Sequence, residues 1–173
     1  MILSLLDISR IETGQLAIER MPVDVCALVS RIVDEVRVTL GEREIEVQCP
    51  NHPLMIQGDE LRLEQVVQNL IQNALKYSAL NTPIHIAVSE YEAAVRIDVH
   101  DIGIGIPQAD LPQLFDRFYR AGNVDSRNIS GLGIGLYVVK QIVELHGGYI
   151  TVESTEHQGS TFTVTLPLDT QGP

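Results

Sequence analysis

AVRIDVHD, residues 94–101, runs directly into IGIGIP, residues 102–107, and the alternation in the first stretch governs how the rest of the chain is read. In an extended strand successive side chains point to opposite faces. Val95, Ile97 and Val99 therefore share one face, and Arg96, Asp98 and His100 share the other. Apolar on one side and polar on the other is the pattern of an antiparallel strand with a core beneath it and water above. Asp101 has the parity of the valines. The register thus aims a carboxylate inward where the strand ends and a Gly- and Pro-punctuated segment begins.

Working outward, IHIAVSEY (84–91) precedes this strand by two residues and forms a hairpin with it. EIEVQC (44–49), LMIQG (54–58), YITVES (149–154) and STFTVTL (160–166) read as further strands. Three helices are expected after the opening segment. One spans about 25–39 behind Asp24 as N-cap, and another runs from the cap Asp59 to about Tyr77. The third runs from about 135 to 146 and is ended by Gly147–Gly148. On the second, Leu63, Val66, Val67, Leu70, Ile71 and Ala74 recur with helical spacing and form one buried face. LPQLFDRF (111–118) contains a short helical piece. This order predicts an α+β fold: a two-layer α/β sandwich with one mixed, mostly antiparallel sheet and helices packed on one face.

MILSLLDISRIET (1–13) carries a broad apolar helical stripe with no starting cap, so the chain reads as beginning inside a longer element. Gly14 and Pro22 bracket a connector. The expected division is residues 1–20 as helix and connector, 21–169 as one domain, and 170–173 as a frayed tail.

With 173 residues, 45% hydrophobic and 20% charged, the composition is that of an ordinary globular domain. A net charge of -11 argues against nucleic acid as a partner, because phosphate backbones are met with basic surfaces. An anionic ligand then needs a metal ion and a few well-placed cations, and the chain has only two lysines, Lys76 and Lys140. Cys26 and Cys49, distant in sequence and without a metal-ligand spacing, read as reduced cysteines. No apolar run reaches the roughly 20 residues of a membrane span and no signal peptide is visible. The segment reads as cytoplasmic and without membrane contact, a membrane anchor being left open for a longer parent protein.

Three groups of residues carry chemistry. The inward carboxylate of Asp101 either caps the following turn or meets a ligand donor such as an adenine amino group. Asn69, Asn73 and Lys76 stand at i, i+4 and i+7 along the edge of an apolar helix face. They are a solvated polar stripe, or two amide oxygens suited to Mg²⁺ with a point charge for phosphate. SGLGIGL (130–136) places glycine at every second position and opens onto a helix. It is a flexible loop, or a segment whose backbone N–H groups approach phosphate at a helix N-terminus. It matches neither GxGxxG nor GxxxxGK[ST].

Taken in order, LEQVVQNLIQNALKYS (63–78), DIGIGIP (101–107), LFDRFYR (114–120), GLGIGLYVVKQIVELHGG (131–148) and GSTFTVTLP (159–167) resemble the GHKL superfamily and its Bergerat ATP-binding fold. Within that superfamily they resemble the catalytic domain of sensor histidine kinases. LLDISRIETGQL (5–16) is similar to the end of the dimerisation and histidine-phosphotransfer domain. The resemblance implies ATP and Mg²⁺ as cofactors. Asn73 and Asn69 would hold the metal, Lys76 would meet the phosphates, and Asp101 would read the adenine with Gly103 and Gly105 giving it room. Tyr77, Ile106, Leu132 and Leu136 would line the nucleotide pocket, and Ser160 would place a hydroxyl near the adenine. Arg117 and Arg120 would serve the γ-phosphate or a partner. Residues 119–130 would form a lid, with Gly131, Gly133 and Gly135 at its hinge and on the phosphates.

The partners implied are the dimerisation domain of the same parent protein and a response regulator. His52, His85, His100, His146 and His157 all read as structural or surface residues, so the phosphoacceptor histidine lies outside this chain. Two alternatives share the fold: a clamp-type GHKL ATPase and an anti-sigma-type serine kinase or nucleotide-binding module. The clamp ATPases resemble one another in a glutamate base where this chain has Asn69, an amide that cannot accept a proton.

Overall fold

In the computed structural model, residues 7, 9–11, 13–40, 43–124 and 132–169 are described. Their strands are β1 (Met21–Asp24), β2 (Ile45–Gln48), β3 (Met55–Gly58), β4 (Ile84–Tyr91), β5 (Ala94–Asp101), β6 (Tyr149–Thr155) and β7 (Gly159–Pro167). The helices are α1 (Val25–Leu40), α2 (Glu60–Tyr77) and α3 (Gly135–Leu145), with a single 3-10 turn at Leu111–Gln113. Five strands form one sheet in the order β2-β4-β5-β7-β6, antiparallel except for the parallel pair β2–β4. The helices cover one face, so the expected α+β sandwich is the observed fold.

The core follows the two periodicities. Val95, Ile97 and Val99 on β5, with Ile84, Ile86 and Val88 on β4 and Phe162, Val164 and Leu166 on β7, are buried beneath the helices. α2 meets them with its predicted face, from Leu63 to Ala74, and α3 with Val138, Val139, Ile142 and Val143. Deleting several methylenes from such a site typically costs about 2–5 kcal/mol.

Two expectations need correction. The sheet is not single: β1 pairs antiparallel with β3 in a separate two-stranded sheet, where the sequence suggests only a connector. In β1 only Val23 is buried, and Pro22 removes a donor, as suits a short edge strand. Four residues with one inward side chain carry no readable alternation. The helical piece in LPQLFDRF is likewise only Leu111–Gln113, followed by turns in which Phe118 takes φ 61°.

Cys26 and Cys49, far apart in sequence, stand together with a hydrogen bond between their side chains. Both are free thiols, and burial followed by the Cys49 contact pushes Cys26 up to about 12. It is protonated and unreactive at neutral pH.

Of the predicted leading helix, residues 1–6, 8 and 12 lie outside the described residues, as does the tail 170–173. The described part packs closely. Buried Asp7 accepts hydrogen bonds from Arg62 Nη1 at 2.9 Å and Gln65 Nε2 at 2.7 Å. In the connector, Leu16 joins the core and Arg20 donates to the Leu145 carbonyl at 2.9 Å.

Candidate functional site

The C-terminal half of α2, the end of β5, the glycine segment before α3 and the turns near Tyr119 enclose a cleft of about 320 Å³, within the range of small-molecule sites. Asn69, Asn73, Lys76, Tyr77, Asp101, Gly105, Ile106, Arg120, Leu132, Gly133, Gly135, Leu136 and Ser160 all line it. Of the remaining predicted residues, Gly103 and Arg117 do not line it, and Gly131 lies outside the described residues, as does the second half of the predicted lid, 125–130.

Asp101 is 4% exposed, as its parity requires. Burial pushes its carboxyl up to about 6, while the Gly103 N–H and the positive charge of Arg43 pull the other way. Both readings of this residue therefore meet in one side chain, since it accepts a hydrogen bond from the turn behind it and lines the cleft in front. Opposite it on β7, buried Ser160 shares a 2.9 Å hydrogen bond with Ser154, whose hydroxyl accepts the Ile106 N–H at 2.9 Å.

Gly103 and Gly105 make room for the protein's own chain. A Cβ at Gly103 would collide with the Tyr77 carbonyl and the Asp101 carboxylate. At Gly105, where φ is +64°, it would collide with the Thr155 carbonyl. The tight turn then lets Ile104 N–H donate to the Tyr77 carbonyl at 3.0 Å, and Ile104 carbonyl accept from His157 N–H at 2.7 Å.

On α2, Asn69 donates its Nδ2 to the Gln65 carbonyl at 2.8 Å. This fixes which atom faces the cleft: Oδ1, which sits 2.9 Å from where a Cβ on Gly135 would be. Asn73 has no hydrogen-bond partner among the described residues, and both amides line the cleft. Two carboxamide oxygens without competing cationic partners fit a hard, oxygen-seeking cation that takes its other ligands from water and phosphate. No cluster of three or more His, Cys, Asp or Glu able to hold a metal occurs among the described residues. Lys76 Nζ lies 5.0 Å from the centre of the Tyr77 ring.

Arg117 stacks on Tyr137, 5.0 Å from the ring centre, on the outside of the site. Sequence reasoning missed the residues that hold the cleft's far wall. Asp110 accepts from Tyr119 OH and from Gly122 N–H, both at 2.7 Å, and these bonds, the N–H first, hold its carboxyl below the usual range. Asn123 donates to the Gly105 carbonyl at 3.0 Å. These are long-range bonds between loops, which no local pattern announces. Arg43, also missed, donates to the Leu75 carbonyl at 2.8 Å and to Ser78 Oγ.

Residues 58–170 match the family described as histidine kinase-, DNA gyrase B-, and HSP90-like ATPase. The chain belongs to this family. Sensor histidine kinase WalK of Bacillus subtilis is 36% identical over 167 residues, 94% of this chain but 27% of the relative's length. The solved mycobacterial sensor histidine kinase MprB superposes with a TM-score of 0.75 at 28% identity, over 86% of this chain and 97% of that one. The structure of full-length ShkA in complex with AMPPNP gives 0.80 at 24% identity, over 98% of this chain and 35% of that one. The fold is that of the histidine kinase catalytic domain, and the chain spans about a quarter of the length of curated relatives such as WalK. Among the described residues no helix is long and apolar enough to cross a membrane.

Proposed function

We propose that this chain binds ATP with Mg²⁺ and transfers the γ-phosphoryl group to a histidine on a separate dimerisation domain, for onward transfer to a response-regulator aspartate. The observation that carries the reading is one cleft bringing together a buried carboxylate at its floor and two free amide oxygens and a lysine on its wall. AMPPNP bound to the structurally similar ShkA is in keeping with it.

In this reading Asp101, ionised above about pH 6, accepts from the adenine amino group, with Ser160 beside it. Asn73 and Asn69 would hold Mg²⁺, which would offset charge on the phosphate oxygens. Lys76 adds a point charge, and Arg120 lines the cleft on the lid side. The incoming imidazole nitrogen forms the new N–P bond as the bond from the γ-phosphorus to the bridging oxygen breaks, and ADP leaves with that electron pair. None of the five histidines lines the cleft. His146 is buried in the core, while His85 and His100 stack at 6.0 Å on the far face of the sheet. Residues 1–20 are read as the end of the dimerisation domain and its connector, and 21–169 as the catalytic domain.

Asn69 disfavours the clamp-ATPase reading. Its Nδ2 is committed to the Gln65 carbonyl and its oxygen is no base, so no proton acceptor stands where an attacking water would need one. Calorimetry with ATP and GTP, with and without Mg²⁺, tests the proposal on the wild type, Asn73→Ala and Asp101→Asn. Mg²⁺-dependent ATP binding weakened in both variants is the expected result. Equal affinity for GTP in the wild type contradicts the reading.

A further inference from the structure

We propose that Arg43 sets the purine selectivity of the cleft from behind: its guanidinium, pinned across the end of α2, is the fixed charge that keeps Asp101 a pure acceptor. The inference rests on the adenine reading of Asp101 given above.

Arg43 does not line the cleft. It spans the junction beneath the cleft floor. One arm donates to the Leu75 carbonyl at 2.8 Å and the other to Ser78 Oγ, so it closes the last turn of α2, which carries Lys76 and Tyr77. Ser78 bridges to Gly103, and Gly103 N–H bonds the Asp101 carboxylate. From the other direction, the Glu44 carbonyl next to Arg43 accepts the N–H of Ile84 at 3.1 Å, and Ile84 is the β4 residue opposite Asp101. Both routes bring the guanidinium up behind the carboxylate.

The two hydrogen-bond partners of Arg43 are neutral, and a fork kept only for them would not need a charge. Arg43 makes no ion pair among the described residues, its Nε is buried without a partner, and burial lowers its own pKa. The acid its field reaches is Asp101. Among the described residues, the strands flanking Asp101 supply no second cation. β4 faces Asp101 with Ile84 and β7 with Ser160, neither of them ionisable. α2 places Lys76 and Tyr77 on the cleft wall, and the β6–β7 turn carries Glu156 and His157 beside Gly105 and Ile104.

The chemistry of selection follows from the proton. An ionised carboxylate only accepts, so it pairs with the amino group of adenine and opposes the carbonyl of guanine. A protonated one can donate to that carbonyl. Burial pushes Asp101 toward the neutral form, and the Gly103 N–H and then the cation behind it push back. Selectivity is then held by a residue that never touches the nucleotide.

The test is the affinity of the whole chain for Mg·ATP and Mg·GTP over about pH 5–8.5, for the wild type, Arg43→Gln, Arg43→Lys and Asp101→Asn. In Arg43→Gln the pH below which ATP preference collapses should rise, narrowing the ATP-to-GTP ratio at neutral pH. Arg43→Lys keeps the charge while losing the fork, and should keep the wild-type midpoint. If Arg43→Gln lacks the wild-type circular dichroism spectrum, Arg43→Met takes its place. An unmoved midpoint in the uncharged variant overturns the proposal, as does equal loss in Gln and Lys, which would make Arg43 a hydrogen-bonding staple. If instead Asp101→Asn retains the full ATP preference, the adenine reading itself fails and the role of Arg43 falls with it.

Discussion

Asp101 occupies a position where a neutral side chain would fold more readily. Its carboxyl is raised from the usual 3.8 to about 6 by burial, so the native state holds a proton that the unfolded chain has already released. Stability of the nucleotide-free chain therefore falls as pH rises from about 4 to about 6 and stays lower above that window. Asp101→Asn should raise the melting temperature at neutral pH, by the equivalent of about 1–2 kcal/mol after losses at Gly103 and Arg43 are discounted, while weakening ATP binding. Thermal melts of both proteins at about pH 4 and pH 8 check the sign, and a gain confined to the acidic end contradicts it. Gly105 gives a second prediction at this scale. Gly105→Ala strains a +64° backbone and collides with Thr155, so it should cost more than about 1 kcal/mol by denaturant titration. An unchanged midpoint would show that the turn relaxes freely.

Elements were legible in the sequence to the degree that they carry a long period. α2, β4 and β5 stand where the pattern puts them because three or more residues in each repeat one face preference, and the same parity places Asp101 inward. β1 has one buried side chain and was invisible. The cleft's far wall depends on Asp110, Tyr119 and Asn123 bonding across loops, and Arg43 reaches α2 across 32 residues of sequence, so no local signal could reveal either. The same limit hid the joint between α2 and α3. His146, at the end of α3, donates Nδ1–H to the Ile142 carbonyl at 2.7 Å and accepts at Nε2 from the N–H of Asp59, the cap of α2, at 3.0 Å. The Asp59 bond requires the neutral ring, because a protonated Nε2 has no lone pair to accept it, and burial lowers the pKa of His146. A depressed folded-state pKa gives stability that is full above about pH 6.5 and lost as pH falls below it. His146→Gln should be less stable than wild type at about pH 8, with the gap narrowing toward pH 5. A gap that widens on acidification would mean the ring is charged in the fold.

At the scale of the whole molecule, the cleft brings together a buried carboxylate, two amides and a lysine, yet among the described residues no nucleophile or base is in place for the γ-phosphate of the proposed pose. Asp101 lies at the adenine end in the proposed pose, Asn69 cannot take a proton, and no histidine lines the cleft. Phosphoryl transfer depends on an in-line acceptor as much as on stabilised charge. The buried bonds of Asp7 to Arg62 and Gln65 place the lead-in residues one turn from Asn69 on α2, where a docked dimerisation domain would be felt. The central claim is that this chain supplies the nucleotide and its partner supplies the acceptor. The most direct measurement mixes the purified chain with radiolabelled ATP and Mg²⁺, alone and with a separately purified histidine-bearing dimerisation domain, and scores acid-labile protein phosphate together with released phosphate. The account predicts label on the added domain alone, lost with Asn73→Ala, and little phosphate release from the isolated chain. Rapid hydrolysis by the isolated chain, abolished by Asn73→Ala, would contradict it and make the chain an autonomous ATPase.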